Sequence, residues 1–181
     1  MCHIKGILLI VGVLIAVVAV AMLTKSYFHK ESGPFTVASS VFQNNGIIPD
    51  RYTCAADNVS PPLKFENVPS KAEGLVVIMH DLDAPGGDFT HWLVWGIPPK
   101  TKGFNEGTVV TEATQGTTDF GIASYGGPCP PSGTHRYVID AYALDTALSL
   151  PKSTHRADLE SALQHHVIAK SSLIATVTAK K

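Results

Sequence analysis

Apolar and polar positions alternate in different ways along this chain, and the differences divide it. Ile7 to Leu23 is an uninterrupted apolar run with Lys5 before it and Lys25 and Lys30 after it. As a helix it would be about 26 Å long, against a bilayer core of about 30 Å. Residues 1–23 are therefore expected to be a membrane segment: an uncleaved signal anchor or, with Ala19 and Ala21 as an A-x-A site, a signal peptide cleaved near Ala21. Either form exports the domain to the periplasm or the extracellular space. The lysines on both sides leave the positive-inside rule undecided. Residues 24–34 are polar, close on Gly33-Pro34 and read as a linker, so the folded domain spans 35–181.

Within that domain the pattern is one of strands. Leu75-Val-Val-Ile-Met79 is apolar on both faces, which marks a central strand, and His91 to Ile97 and His135 to Leu144 read the same way. Shorter pieces are expected at Phe35-Thr-Val37, Val41-Phe42, Ile47-Ile-Pro49 and Arg51 to Cys54, and Asn58 to Leu63 is read as extended and irregular because of its prolines. One helix is expected, capped by Ser153 or Thr154, with Leu159, Leu163 and Val167 on one face, ending near Lys170. His166 would face the sheet from that helix, and Ser172 to Thr178 alternates as a final strand. Residues 100–133 are rich in Gly and Thr without periodicity. The fold class is mostly β, with two packed antiparallel sheets and one late C-terminal helix.

Composition narrows the partners. The chain has 181 residues with 14 Lys+Arg against 15 Asp+Glu, a formal charge of −1, so no global field draws it to nucleic acid. Cys54 and Cys129 are the two cysteines of the body, while Cys2 precedes the apolar run. A disulfide between them and two separate buried thiols are both open readings. Asn58-Val-Ser60 forms a glycosylation sequon, relevant only in a eukaryotic secretory cell.

The chemistry gathers at strand ends. Period two sets Val77, Met79, Asp81 and Asp83 on one face, so two carboxylates continue an apolar row. Buried carboxylates need partners, a proton or an opening. His135 and Tyr137 precede Ile139 and Ala141 on one face of their strand, and His91 opens the face shared by Leu93 and Trp95. A recess where these ends meet explains all of them at once. Arg136 falls on the opposite face and reads as a structural ion pair or surface residue, and Ala84-Pro85 is expected to be cis.

Asp81-Leu-Asp-Ala-Pro85, His91-Trp92 and Gly127-Pro-Cys-Pro-Pro-Ser-Gly-Thr-His-Arg-Tyr137 resemble the signature blocks of the phosphatidylethanolamine-binding protein family, in its bacterial and archaeal, Raf-kinase-inhibitor-like branch. Ile48-Pro49 through Cys54, Ser60-Pro-Pro-Leu63, Thr118 to Gly121 and Leu163 to Ala169 resemble it in order and spacing, and the resemblance extends over residues 36–175. It implies a Greek-key sandwich with a small pocket for phosphate-type anions and phosphorylated head groups. Carried over by position, the ligand-binding residues are Asp81, Asp83, Pro85, His91, Gly127, Pro128, His135 and Tyr137. The sequence departs from the family at Leu82, where Pro is common, and in Leu173 to Lys181, which lacks the usual Gly and Tyr.

The expected ligand is a small phosphorylated or zwitterionic molecule, its phosphate toward the Gly126-Gly127 amides and the histidines and its amine toward Asp81 or Asp83. A binding protein without cofactor or metal, and not an enzyme, is the reading. The alternatives are a hydrolase, with Cys129 and His135 as nucleophile and base, and a metal-dependent enzyme using Asp81, Asp83, His91 and His135.

Overall fold

A strand that is apolar on both faces must be covered on both sides, and the computed structural model, which describes residues 33–180, shows how. Strand β4 (Gly74–Asp81) is buried along its whole length. It lies between β5 (Phe89–Ile97) and β8 (Thr134–Leu144) in a six-stranded sheet of order β2-β9-β8-β4-β5-β7. Here β2 is Gly46–Ile47, β7 is Thr114–Gln115 and β9 is Val167–Thr178. A second sheet joins β1 (Thr36–Ala38), β3 (Leu63–Glu66) and β6 (Gly103–Phe104) in the order β1-β3-β6.

The two faces of β4 serve two cores. Val77 and Met79, with Trp92, Val94 and Ile139, meet Val37, Leu63, Phe65 and Phe104 between the sheets. Val76 and Ile78, with Leu93 and Trp95, meet Leu159 and Leu163 of helix α1 (Arg156–Leu163) on the outer side. Full burial of each such side chain contributes about 1.5–3 kcal/mol, which makes this three-layer packing the main stabilising term.

Several expectations change. The larger sheet is not purely antiparallel, because β2 pairs with β9 in parallel. Arg51 to Cys54 is not a strand: Asp50–Tyr52 forms a 3₁₀ turn entered from Pro49. Leu63, read as the end of an irregular stretch, instead opens a strand, Leu63–Glu66, with Leu63 and Phe65 buried and Lys64 and Glu66 exposed. Helix α1 stops at Leu163, and His165 at φ 72° reverses the chain, so that Val167 and Lys170 belong to β9. The β-branched pair Val167-Ile168 suits the strand better than another helical turn. His166 consequently does not pack on the sheet but bonds Asp145 at 2.8 Å, half-exposed. Ala84-Pro85 is trans, since the described residues contain no cis peptide bond.

The apolar run 7–23 and nearly all of the linker lie outside the described residues. Among the described residues no helix is long and apolar enough to cross a membrane.

Candidate functional site

A β-bulge assembles the site. Met79 pairs with Trp92 and His80 with Thr90, so β5 carries one extra residue, His91, at this point. Simple alternation from Leu93 and Trp95 would aim His91 at α1, the face away from Asp81. The bulge reverses the sense of alternation, and Phe89 and His91 come to the face where Asp81 stands opposite Phe89.

Asp81 and His135 are the polar centre. His135 Nδ1 bonds Asp81 Oδ2 at 2.7 Å, and the Asp83 backbone N–H donates to Asp81 Oδ1 at 2.9 Å. Both side chains are almost fully buried, at 5% exposure for Asp81 and 8% for His135. With Nδ1 committed to the carboxylate, Nε2 is the free nitrogen of the His135 ring. His91 donates from Nδ1 to the Gly126 carbonyl at 2.6 Å. Burial lowers its pKa below 6.5, which keeps the ring neutral with a lone pair at Nε2.

Tyr137 completes the group. Its ring lies 5.2 Å from that of His91, and its hydroxyl is buried without a hydrogen-bond partner among the described residues. Burial, and then the nearby Asp81 carboxylate, hold the phenol well above its ordinary pKa, so it stays protonated. The Asp81 carboxylate and the Cys129 backbone lie near enough to influence it without closing a hydrogen bond, and a buried hydroxyl left in that state costs about 1–3 kcal/mol.

These groups open on a cavity of about 180 Å³. Asp81, Pro85, His91, His135 and Tyr137 line it; Asp83, Gly127 and Pro128 do not. Asp83 lies past the end of β4, where strand parity no longer applies, and its carboxylate accepts from Arg136 Nε at 2.8 Å and Nη2 at 2.6 Å. Hydrogen bonds from the Arg136 side chain and backbone hold its pKa far below the usual carboxylate range. The glycine amides are also occupied: Gly126 N–H donates to the His91 carbonyl and Gly127 N–H to Asn58 Oδ1 at 2.8 Å. They offer no anion nest. The Asn58 side chain of the sequon is thus a brace for the loop, and a Cβ on Gly127 would come within 2.4 Å of it.

The remaining wall is apolar and was not anticipated. Phe89 and Phe120 pack edge-on at 4.8 Å, each also touching the His91 ring, and Ala84, Cys129 and Pro131 add to the lining. Phe120 comes from the aperiodic stretch 100–133, where pattern carries no signal. Phe89 shares the parity of His91 and reaches this wall through the same bulge. Cys54 and Cys129 form a disulfide with Cα atoms 5.4 Å apart and a sequence separation of 75. In the chain-entropy model a loop of that length stabilises by about 4 kcal/mol. Among the described residues no group of three or more His, Cys, Asp or Glu is arranged to hold a metal ion.

A two-sheet β domain with a small, mostly apolar cavity at the ends of its central strands is the class that fold and site define. Residues 38–178 match the family model for phosphatidylethanolamine-binding protein. A UPF0098 protein of Methanothermobacter thermautotrophicus is 43% identical over 138 residues, 74% of this chain and 91% of that protein. A Pyrococcus horikoshii relative is 44% identical over 144 residues, 75% and 73% respectively. A phosphatidylethanolamine-binding protein homologue from Chlamydia trachomatis superposes with a TM-score of 0.79 at 35% identity, covering 82% of this chain and 100% of that one. For YbcL of E. coli, described as a member of the mammalian PEBP family, the TM-score is 0.77 at 27% identity with the same coverage. The chain belongs to the phosphatidylethanolamine-binding protein family.

Proposed function

We propose that the domain binds the phosphoryl end of a small head group in the Asp81–His135–Tyr137 cavity and releases it unchanged. The observation that carries this reading is the Tyr137 hydroxyl, buried, protonated and unpartnered on the cavity wall. A phosphoryl oxygen would satisfy it, and His135 would donate a second bond from Nε2 when protonated. Neutral His91 offers a lone pair that an ammonium group could use, which favours a zwitterion such as phosphoethanolamine.

Size supports a head group over a whole lipid. The volume of about 180 Å³ equals roughly six water molecules and is well under the roughly 300–1,000 Å³ of drug-sized sites. Binding without turnover is supported by the lining, which contains no Ser, Thr or Lys, and by Cys129, which is bonded to Cys54 and so is not a free thiol beside His135. With Asp83 closed off by Arg136, Asp81 is the acidic side chain left to the cavity. We further infer that the domain is exported, tethered through residues 7–23 or released by cleavage near Ala21. The apolar run and the disulfide, a bond of oxidising compartments, support this.

Calorimetric titration of wild type and His135→Asn with phosphoethanolamine and with inorganic phosphate tests the reading. Asparagine is preferred to alanine because it retains a donor toward buried Asp81. The variant is expected to fold and to bind roughly ten- to a hundredfold more weakly, the loss of one charge-assisted bond. Equal affinity in both proteins, or no binding to wild type, overturns the assignment.

A further inference from the structure

A disulfide borders this cavity. Cys129 lines the candidate site and, with Cys54, also lines a second cleft of about 210 Å³ bordered by Asp50, Pro130 and Lys180. The disulfide thus lies where two concavities adjoin, and both of its cysteines are exposed. An exposed disulfide is open to thiolate attack, whereas a bond sealed in a core is not.

The loop around it is fastened unevenly. Gly126 and Gly127 are held by hydrogen bonds to His91 and Asn58, and the Pro128 carbonyl accepts from Cys54 N–H at 3.0 Å. Beyond that point the backbone ties stop. Among the described residues no backbone–backbone hydrogen bond engages Cys129, Pro130, Pro131 or Ser132, and the next is Ala179 N–H to the Gly133 carbonyl at 2.8 Å. Pro130 and Pro131 have no N–H to give. The disulfide is therefore the tie that fixes the segment supplying Cys129 and Pro131 to the cavity.

We propose that Cys54–Cys129 is a thiol–disulfide exchange site that sets the affinity of the cavity, an inference that rests on the binding function proposed above. The co-reactant is a dithiol. One of its thiolates attacks a protein sulfur, forming a mixed disulfide and expelling the other cysteine as thiolate. Its second thiolate then attacks the mixed disulfide, so the reductant leaves as a disulfide and Cys54 and Cys129 take up two protons as thiols. Two electrons pass to the protein, and exchange with an oxidised disulfide compound reverses the reaction. Once released, residues 129–132 no longer shield the Tyr137 hydroxyl, which hydrates and must be stripped of water again when ligand binds. His91 keeps its place, because the Gly126 bond lies on the fastened side of the loop.

The full-length protein is titrated with phosphoethanolamine in the oxidised state, after dithiothreitol with thiols counted, and after reoxidation with oxidised glutathione. Hydrogen exchange of the loop and near-ultraviolet circular dichroism accompany each state. Reduction is expected to weaken binding about tenfold, the cost of re-ordering the segment, and reoxidation to restore it. Exchange at Cys54, whose N–H bonds the Pro128 carbonyl beside the disulfide, should rise while that at Gly126 and Gly127 holds. Unchanged affinity after the thiol count has risen by two over the oxidised protein, Cys2 being common to both states, overturns the proposal, as does a bond that resists dithiothreitol in the folded protein. So does collapse of the near-ultraviolet signal, which would make the bond a staple of the fold. If the oxidised protein binds no phosphoethanolamine, the functional reading fails by itself. Exchange at the Cys54 amide then decides whether the bond controls the loop, and no change there overturns that as well.

Discussion

Strands β4 and β8 carry histidine–aspartate groupings on both faces of one sheet, starting from the adjacent residues His80 and Asp81. On the α1 side, His80 Nδ1 bonds Asp88 at 2.6 Å, and Arg156 reaches Asp88 at 2.9 Å and Glu160 at 2.6 Å. Asp140, whose Oδ2 lies 3.7 Å from His80 Nε2, accepts from Lys170 at 2.8 Å and from Ser172 and Tyr142. Each carboxylate there has a cationic partner. On the other face the Asp81–His135 pair has no Lys or Arg beside it in the cavity, and the Tyr137 hydroxyl makes no hydrogen bond among the described residues. Both groupings are buried and ionisable. Each grouping holds one buried polar atom without a hydrogen-bond partner among the described residues, His80 Nε2 on the α1 side and the Tyr137 hydroxyl on the other. What separates a structural network from a site is that the carboxylates of the first are neutralised by Arg156 and Lys170, whereas the second opens on a cavity.

The sharpest way to break that comparison is Asp140→Ala. It strips the acceptor from Lys170, Ser172 and Tyr142, and chemical denaturation is expected to show a loss of about 2–4 kcal/mol with phosphoethanolamine affinity unchanged. Lost binding with stability intact would show that the outer network belongs to the site.

A smaller effect should appear with pH. The pKa of His91 is below 6.5 in the folded state, so between that lowered value and 6.5 the unfolded chain binds more protons. Stability therefore rises with pH through this window and falls on acidification, by at most about 1.4 kcal/mol per unit. Urea midpoints between about pH 5 and 7 should show this slope, and His91→Gln should flatten it. Parallel slopes for the two proteins would place the titrating group elsewhere.

Least affected should be Asp83→Asn. The Asp83–Arg136 pair is partly exposed, with Arg136 at 58%, and lies outside the cavity, so denaturation midpoint and head-group affinity are both expected to stay near wild type. A selective loss of phosphoethanolamine over inorganic phosphate would return Asp83 to the ligand.

The same contrast explains what the sequence could and could not reveal. Three central strands were legible because Leu75–Met79, His91–Ile97 and His135–Leu144 are long apolar runs, and their polar ends pointed to a common recess. Parity then failed wherever the backbone left regular geometry. Asp83 stands beyond the last residue of β4, and His91 reaches the cavity because of a bulge that no alternation pattern announces. The glycines looked free for an anion, yet their amides were taken by His91 and by Asn58, a residue distant in sequence. Phe120 lies in a segment without periodicity, where family resemblance marked Thr118 to Gly121 but pattern gave no sign that its ring lines the cavity. Helix α1 was found but drawn too long, because the reversal at His165 rests on one positive φ at a non-glycine residue.

The claim that the cavity is a site because Tyr137 is unsatisfied can be tested most directly with Tyr137→Phe, measured by thermal unfolding and phosphoethanolamine titration on the same preparation. Removing a buried hydroxyl that has no partner relieves a desolvation cost, so the variant is expected to be as stable as wild type or up to about 1–3 kcal/mol more stable, while binding about tenfold more weakly. A variant that is less stable and binds as tightly as wild type would contradict the account, for it would mean that the hydroxyl serves the fold and not a ligand.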